Sequence, residues 1–109
     1  MKKRYIVKEN KEFNNIINTC KYSKDPNLVI YYKDNNLAYD RFGISVSTKF
    51  GNAVERNLYK RRLRSIIDTN KNNYQIKKDY IIIVRKAVKE ATYSVIEESY
   101  KSLMDKINR

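Results

Sequence analysis

The sequence predicts a single α+β domain of order α-β-β-α-β-α, with one central sheet packed by helices. Two observations support this fold class. The chain has 109 residues, 41% of them hydrophobic, which implies one domain with a real core. Along the chain, segments with helical periodicity alternate with short β-branched and aromatic runs that are typical of strands. We therefore expect residues 1–109 to form one domain, of which residues 1–8 are a basic, flexible arm.

The first predicted elements are a helix and a strand. Phe13 and the apolar residues 3, 4 and 7 positions later predict a helix over residues 10–21. A turn is predicted at Lys24–Asn27, because proline and asparagine are common turn residues. The segment Leu28–Lys33 is β-branched and aromatic on both faces, which indicates a strand covered on both sides.

A second strand is predicted from Tyr39 to Lys49, after a turn at Lys33–Asn36. Phe42, Ile44 and Val46 point to one face, which is therefore apolar. The other face is small or polar and is expected to carry Gly43, Ser45, Ser47 and Lys49. The simplest arrangement pairs this strand with the preceding one as a hairpin.

The second half of the chain predicts a helix, a strand and a helix. A helix is expected from about Ala53 to Asp68, followed by a polar loop over Thr69–Lys78 and a buried strand over Tyr80–Arg85. Thr92 is predicted to cap the last helix, whose core stripe is Tyr93, Ile96, Tyr100, Leu103, Met104 and Ile107.

The helix that starts near Ala53 carries the strongest functional signal. Asn52 followed by Glu55 three residues later is typical of a capping box. At about 100° per residue, one polar sector of the helix collects a set of phosphate-binding side chains: Arg56, Asn57, Lys60, Arg61 and Arg64. Arginine offers a planar fork of donors and lysine a point charge, so this face suits a phosphate backbone.

Composition supports a polyanionic partner and excludes several kinds of enzyme. The net charge is +12, and the chain has no histidine and a single cysteine, Cys20. These counts exclude histidine-based catalysis, Cys/His zinc sites and an intrachain disulfide. The aspartates are isolated in sequence and are interpreted as surface charge, so hydrolytic chemistry would belong to a partner. The longest apolar run, Tyr80–Val84, is too short to span a membrane, and we expect a cytoplasmic protein.

The segment from Arg41 to Arg64 resembles the signature of the bacterial ribonuclease P protein subunit. That family has Gly-Asn-Ala-Val-x-Arg-Asn-x-x-Lys-Arg-x-x-Arg after a strand ending in Ser-Val-Ser-x-Lys, and residues 45–64 match it without a gap. Residues 79–86 resemble the family's third strand, and Lys11–Phe13 resembles the lead-in to its first helix. The resemblance therefore covers nearly the whole chain.

The resemblance implies a fold, a partner and a division of labour. The fold would contain a left-handed β-α-β crossover through the basic helix. The ribonuclease P RNA would cleave the 5′ leader from precursor tRNA with magnesium, and the protein would hold no metal. The protein would bind that RNA through the basic helix and hold the leader in a cleft between the first helix and the sheet. No membrane or DNA partner is expected.

The resemblance also assigns site residues. The RNA subunit would be contacted by Arg56, Asn57, Lys60, Arg61 and Arg64, although a local hydrogen bond is an equal alternative for Asn57. The leader cleft would be lined by Phe13, Ile17, Val29, Tyr31, Ser45, Ser47, Lys49 and Lys86. For Phe13 and Ile17, a place in the core is the alternative. Asn52 is expected to serve as a cap, and Gly51 to serve backbone geometry.

Two other classes of protein remain open on sequence grounds. A ribosomal protein or an RNA chaperone would share the charge and the basic helix but would need no leader cleft. A DNA-binding module would place the basic helix in a major groove. The second class is disfavoured, because no helix-turn-helix partner precedes the basic helix.

Overall fold

The computed structural model describes residues 21–109. The predicted arm over residues 1–8 lies outside this range, as do residues 10–20 of the helix predicted over residues 10–21. The elements in chain order are β1 Lys21–Lys24, β2 Leu28–Asp34, β3 Arg41–Val46, α1 Ala53–Thr69, β4 Lys78–Val84, a 3-10 helix Lys86–Glu90, and α2 Tyr93–Ile107. The α+β class is confirmed. Both described helices lie where they were predicted, and α1 is one residue longer than expected.

The four strands form one mixed sheet in the order β1-β2-β4-β3. β4 pairs antiparallel with β2 and parallel with β3, so the predicted hairpin between β2 and β3 is wrong. β4 is buried at every position except Ile83, which is half-buried. A strand that is apolar on both faces is most stable in the centre of a sheet, and β4 therefore lies between β2 and β3. The chain crosses from β3 to β4 through α1, and the hand of this crossover stays a prediction.

The core lies between one face of the sheet and the two helices. Leu28 and Ile30 of β2 and Tyr80 and Ile82 of β4 are completely buried there. β3 adds its apolar face, and the ring of Phe42 stacks on that of Tyr80 at 5.1 Å between centroids. The alternation predicted for β3 is thus confirmed, with the apolar side directed to α1 and α2.

The helix caps follow the predicted signals. The Glu55 N–H donates to Asn52 Oδ1 at 2.9 Å, and Glu55 Oε1 accepts the Asn52 N–H at 3.3 Å, which completes the capping box. Thr92 caps α2 through its hydroxyl, which accepts the Val95 N–H at 3.3 Å. Tyr93 was expected in the core, and this is wrong. It is 39% exposed, and its hydroxyl donates to Ser65 Oγ at 3.0 Å.

Several boundaries differ from the sequence prediction. Lys21 starts a strand, so the predicted helix does not include it, and Lys24 ends that strand instead of opening a turn. β3 ends at Val46, three residues before the predicted end at Lys49. Lys78, predicted as loop, begins β4. The edge strand β1 has only four residues, which is too short for a period-two signal to stand out in the sequence.

Asp79 is the exception to the interpretation of aspartates as surface charge. It is 1% exposed and accepts two hydrogen bonds from the Arg41 guanidinium, at 2.8 Å from Nε and 2.6 Å from Nη2. Asn35 Nδ2 donates to the same carboxylate at 3.0 Å. A buried carboxylate needs such partners, because an unpaired charge away from water is costly. The pair joins the start of β3 to β4 and fixes their parallel register.

Candidate nucleic-acid interface

The turn into α1 is fixed by a network around Glu55. Its carboxylate caps the helix and also lies 3.3 Å from Lys89 Nζ, which in turn is 4.8 Å from the centre of the Phe50 ring. A Cβ on Gly51 would lie 2.7 Å from Glu55 Oε1. Gly51 has no positive φ, so its backbone conformation does not require glycine, and a side chain there would displace the Glu55 carboxylate. The network holds the first turn of α1 against the sheet and the 3-10 helix.

α1 presents a face of cations without acidic partners. Arg61 and Arg64 are exposed, and Lys60 and Arg56 are half-buried beside them. Within residues 21–109, none of these four side chains forms an ion pair. Arg56 Nη1 donates to the Gly51 carbonyl at 2.7 Å, which orients this guanidinium and leaves most of its donors available. The helix thus places on one surface a set of N–H groups that are available to donate hydrogen bonds to phosphate.

Asn57 lies on the same face and is exposed. Its side chain makes no hydrogen bond to any other residue in the described part of the chain. The alternative in which Asn57 bonds to a neighbouring strand is therefore wrong. Its amide is free to serve an external partner.

Arg62 lies on the opposite side of the helix from this face. It is half-buried, with its guanidinium carbon 5.1 Å from the centre of the Tyr59 ring. Its stem covers the edge of the core and its charge stacks on the aromatic face. Arg62 therefore supports packing, while its neighbours Arg61 and Arg64 face solvent.

The second candidate surface is the far face of the sheet, which is directed away from α1 and α2. Strand register places its residues in two rows, Lys24–Val29–Ile83–Ser45 and Tyr22–Tyr31–Ile81–Gly43. Val29, Tyr31 and Ser45, three of the residues assigned to the leader cleft, thus lie together on this face and are half-buried. Tyr22 and Lys24 lie on the same face and were missed, because no strand was predicted here: Lys21 was assigned to the end of a helix and Lys24 to a turn.

The other predicted cleft residues lie elsewhere. Ser47 and Lys49 are in the turn after β3, where Ser47 Oγ accepts the Lys49 N–H at 3.1 Å, so they do not share a strand face with Ser45. Lys49 is exposed, as is Lys86 at the start of the 3-10 helix. Both follow the carboxyl ends of the parallel strands β3 and β4. Phe13 and Ile17 lie outside the described residues.

The carboxylates do not assemble into a metal site. Within residues 21–109, no three His, Cys, Asp or Glu side chains come close enough to hold a metal ion. The resemblance assigns magnesium to the RNA subunit and the substrate, and no role of these residues depends on a protein-bound ion. No described helix has the length and apolar character that crossing a membrane requires.

Asp40 is a half-buried carboxyl group just before the start of β3. Burial raises the pKa of Asp40, although the Lys78 N–H at 2.8 Å and the charges of Lys77 and Lys78 oppose the shift. Asp40 borders a cavity of about 50 Å³ between β3, α1 and α2. Burial also raises the pKa of Tyr100, which lines the same cavity. The cavity has room for little more than a water molecule or two.

An α+β domain with an unpaired cationic helix face and an aromatic sheet face belongs to the class of nucleic-acid-binding domains. The ribonuclease P family model matches residues 1–108. The chain is 44% identical over 108 residues to the ribonuclease P protein component of Mycoplasma mycoides subsp. mycoides, which covers 98% of this chain and 99% of that protein. It is 40% identical over 99 residues to that of Streptococcus agalactiae, covering 91% and 90%.

Solved structures agree with these relatives. The RNase P protein from Staphylococcus aureus superposes with a TM-score of 0.83 at 33% identity, over 93% of each chain. That from Thermotoga maritima superposes with a TM-score of 0.82 at 28% identity, over 90% of this chain and 93% of that one. The chain belongs to the ribonuclease P protein family, and its function is that of a ribonuclease P subunit in tRNA 5′ processing. The resemblance found in the sequence is thereby confirmed.

Proposed function

We propose that this chain is the accessory protein of an endoribonuclease in which the RNA subunit carries out hydrolysis. The protein binds that RNA through α1 and the 5′ leader of precursor tRNA on the far sheet face. Magnesium is bound mainly by the RNA subunit and the substrate, in the bacterial cytoplasm. The observation that carries the proposal is the exposed, unpaired cationic face of α1.

The charge on α1 supports phosphate binding as its purpose. The helix carries Arg56, Lys60, Arg61, Arg62 and Arg64 against only two carboxylates, Glu55 and Asp68. Glu55 is committed to the cap and to Lys89, so it does not neutralise the exposed face. Such an excess of cations repels itself unless a polyanion binds, and binding releases counterions from the RNA.

The far sheet face supports binding of an unpaired strand. Tyr31 offers an aromatic ring beside Val29, and aromatic rings stack on unpaired bases with little sequence preference. Ser45 lies in the same row as Val29 and supplies a hydroxyl. Phe13 and Ile17 would complete this surface from the first predicted helix, and Ser47, Lys49 and Lys86 would contact leader phosphates near the ends of β3 and β4.

The test is reconstitution with a bacterial ribonuclease P RNA and precursor tRNA. Purified protein alone should give no cleavage, and the assembled enzyme should cleave at a lower magnesium concentration than the RNA alone. Tyr31→Ala should weaken binding of precursor tRNA by about 1–3 kcal/mol while leaving mature tRNA unaffected, because only the precursor has a leader.

Two outcomes would contradict the proposal. Cleavage by protein freed of RNA would place the chemistry in this chain. Equal losses for precursor and mature tRNA would remove Tyr31 from the leader surface. A ribosomal protein or RNA chaperone would bind RNA but would not lower the magnesium requirement of this reaction.

A further inference from the structure

Tyr22 is an exposed aromatic residue at the edge of the sheet, next to Tyr31. The two residues are directly opposite each other in the β1–β2 pair, so their side chains lie on the same face. Their ring centroids are 5.4 Å apart, and the ring planes are inclined at 46°. Tyr22 remains 54% exposed despite this contact. One face of its ring is therefore available to a ligand.

We propose that Tyr22 binds the leader base next to the one held at Tyr31, and that Lys24 contacts the phosphate between or beside them. This inference rests on the proposed leader function and adds a second nucleotide subsite to it. The ligand is unpaired RNA, bound by stacking and charge without a requirement for a particular base.

Ring geometry determines how many bases are bound. Rings inclined at 46° cannot both lie flat against one base. The centroid separation of 5.4 Å also exceeds the rise of about 3.4 Å between stacked neighbours along one strand of a duplex. Two successive bases must therefore be splayed apart, with one base stacked on each tyrosine. Other sheets that bind single strands stack unpaired bases on exposed aromatic residues in the same way.

The position of Lys24 supports a strand that runs across the sheet. Lys24 lies opposite Val29, one row from Tyr22 and Tyr31, and is exposed. Its side chain shares the far face with both tyrosines. A lysine one row away from two stacking rings is well placed for the backbone of the strand that carries the stacked bases.

Strand order gives the direction of the leader. α1 follows β3, and β3 and β1 lie at opposite edges of the described sheet. If the RNA subunit is bound at α1, the cleavage site lies toward β3 and the leader extends toward β1. The Tyr22 subsite should then be reached only by leaders longer than those that reach Tyr31.

The experiment uses the assembled enzyme and precursor tRNAs whose leaders grow by one nucleotide at a time. Tyr22→Ala should leave binding unchanged for leaders just long enough to respond to Tyr31→Ala. For leaders one nucleotide longer, Tyr22→Ala should weaken binding by about fivefold to tenfold. This is the lower part of the range for base stacking, because the Tyr22 ring is half-exposed. Tyr22→Phe should retain full affinity, because the ring is kept.

Three controls make the result specific. Tyr22→Leu keeps packing against Tyr31 but removes the aromatic face, and it should lose as much affinity as Tyr22→Ala. It tests stacking even if the alanine variant folds poorly. An abasic nucleotide at the responding position should weaken the wild-type enzyme equally and make Tyr22→Ala silent. Tyr93→Ala, an exposed tyrosine on α2 that is not part of the sheet, should show no dependence on leader length.

The outcomes separate this inference from the proposed function. If Tyr31→Ala responds to the leader and neither Tyr22→Ala nor Tyr22→Leu does at any length, Tyr22 only stabilises the β1–β2 hairpin. The Tyr22 subsite is then overturned and the leader face stands. If the Tyr22 variants lose equally for mature tRNA, the subsite is likewise overturned. If no variant responds to leader length, the leader face itself is wrong.

Discussion

The two helices are alike toward the core and different toward solvent. Each begins with a side-chain cap, and each buries an apolar stripe against the same face of the sheet. On the outer side of α2 and just past its end, charges of both signs pair locally, as in Lys101–Glu98 at 3.7 Å and Arg109–Asp105 at 3.5 Å. On α1, the exposed arginines have no acidic partner within residues 21–109. The comparison shows that charge pairing, and not helix formation or packing, distinguishes the proposed nucleic-acid surface from the outer side of α2.

The largest expected effect tests whether the core-facing sides of α1 and α2 are alike. Leu63→Ala in α1 and Leu103→Ala in α2 should each reduce the free energy of unfolding by about 2–5 kcal/mol, because both leucines are at most 1% exposed and each truncation opens a cavity. Chemical denaturation measures both. A loss below about 1 kcal/mol for either variant would mean that its helix is not docked as described.

The next effect tests the difference between the outer faces. Arg61→Ala with Arg64→Ala should weaken binding to the RNA subunit about 10- to 100-fold and flatten the salt dependence of log K by roughly 0.7–0.9 per lost phosphate contact. The matched control, Lys101→Ala with Lys106→Ala in α2, removes the same charge. It should leave affinity nearly unchanged. Equal losses from both pairs would indicate a general charge effect without a defined surface.

A smaller effect compares the two caps. Asn52→Ala and Thr92→Ala should each cost about 0.5–2 kcal/mol of stability, since each leaves a helix N–H without its side-chain acceptor. Only Asn52→Ala should also weaken RNA binding, because Arg56 is anchored at the same turn. RNA affinity measured well below the unfolding temperature distinguishes the two. An equal effect of both variants on RNA binding would argue against positioning by the Asn52 cap.

The smallest effect concerns the cavity where the helices meet. Burial raises the pKa of Asp40 in the folded protein, so its contribution to stability is fully present below the unfolded value of about 3.9 and is lost as pH rises through the folded pKa. Asp40→Asn keeps an acceptor for the Lys78 N–H and removes this loss. The difference in stability between Asp40→Asn and wild type should therefore favour the variant more at pH 7 than at pH 3. Thermal unfolding at both values checks the sign, and a variant that gains nothing at pH 7 would show that Asp40 is well solvated.

Local signals in the sequence were enough for much of the site. The capping box at Asn52 and Glu55, the period of α1 and the exposure of Arg61 and Arg64 depend on residues a few positions apart. The same holds for the cap at Thr92. Interactions over such short distances recur wherever that sequence forms a helix, so they are visible without the rest of the chain.

Tertiary structure alone decided the features that depend on distant partners. Arg41 pairs with Asp79, which lies 38 residues further along the chain. β4 separates β2 from β3, because a strand with two apolar faces is most stable in the centre of the sheet. Tyr22 contacts Tyr31 only because β1 is a strand, and a strand of four residues is too short to be predicted from its sequence pattern. The sequence by itself determined which helix carries the unpaired charge. Long-range strand pairing decided which side chains share a face, because that outcome reflects a competition among strands over the whole chain.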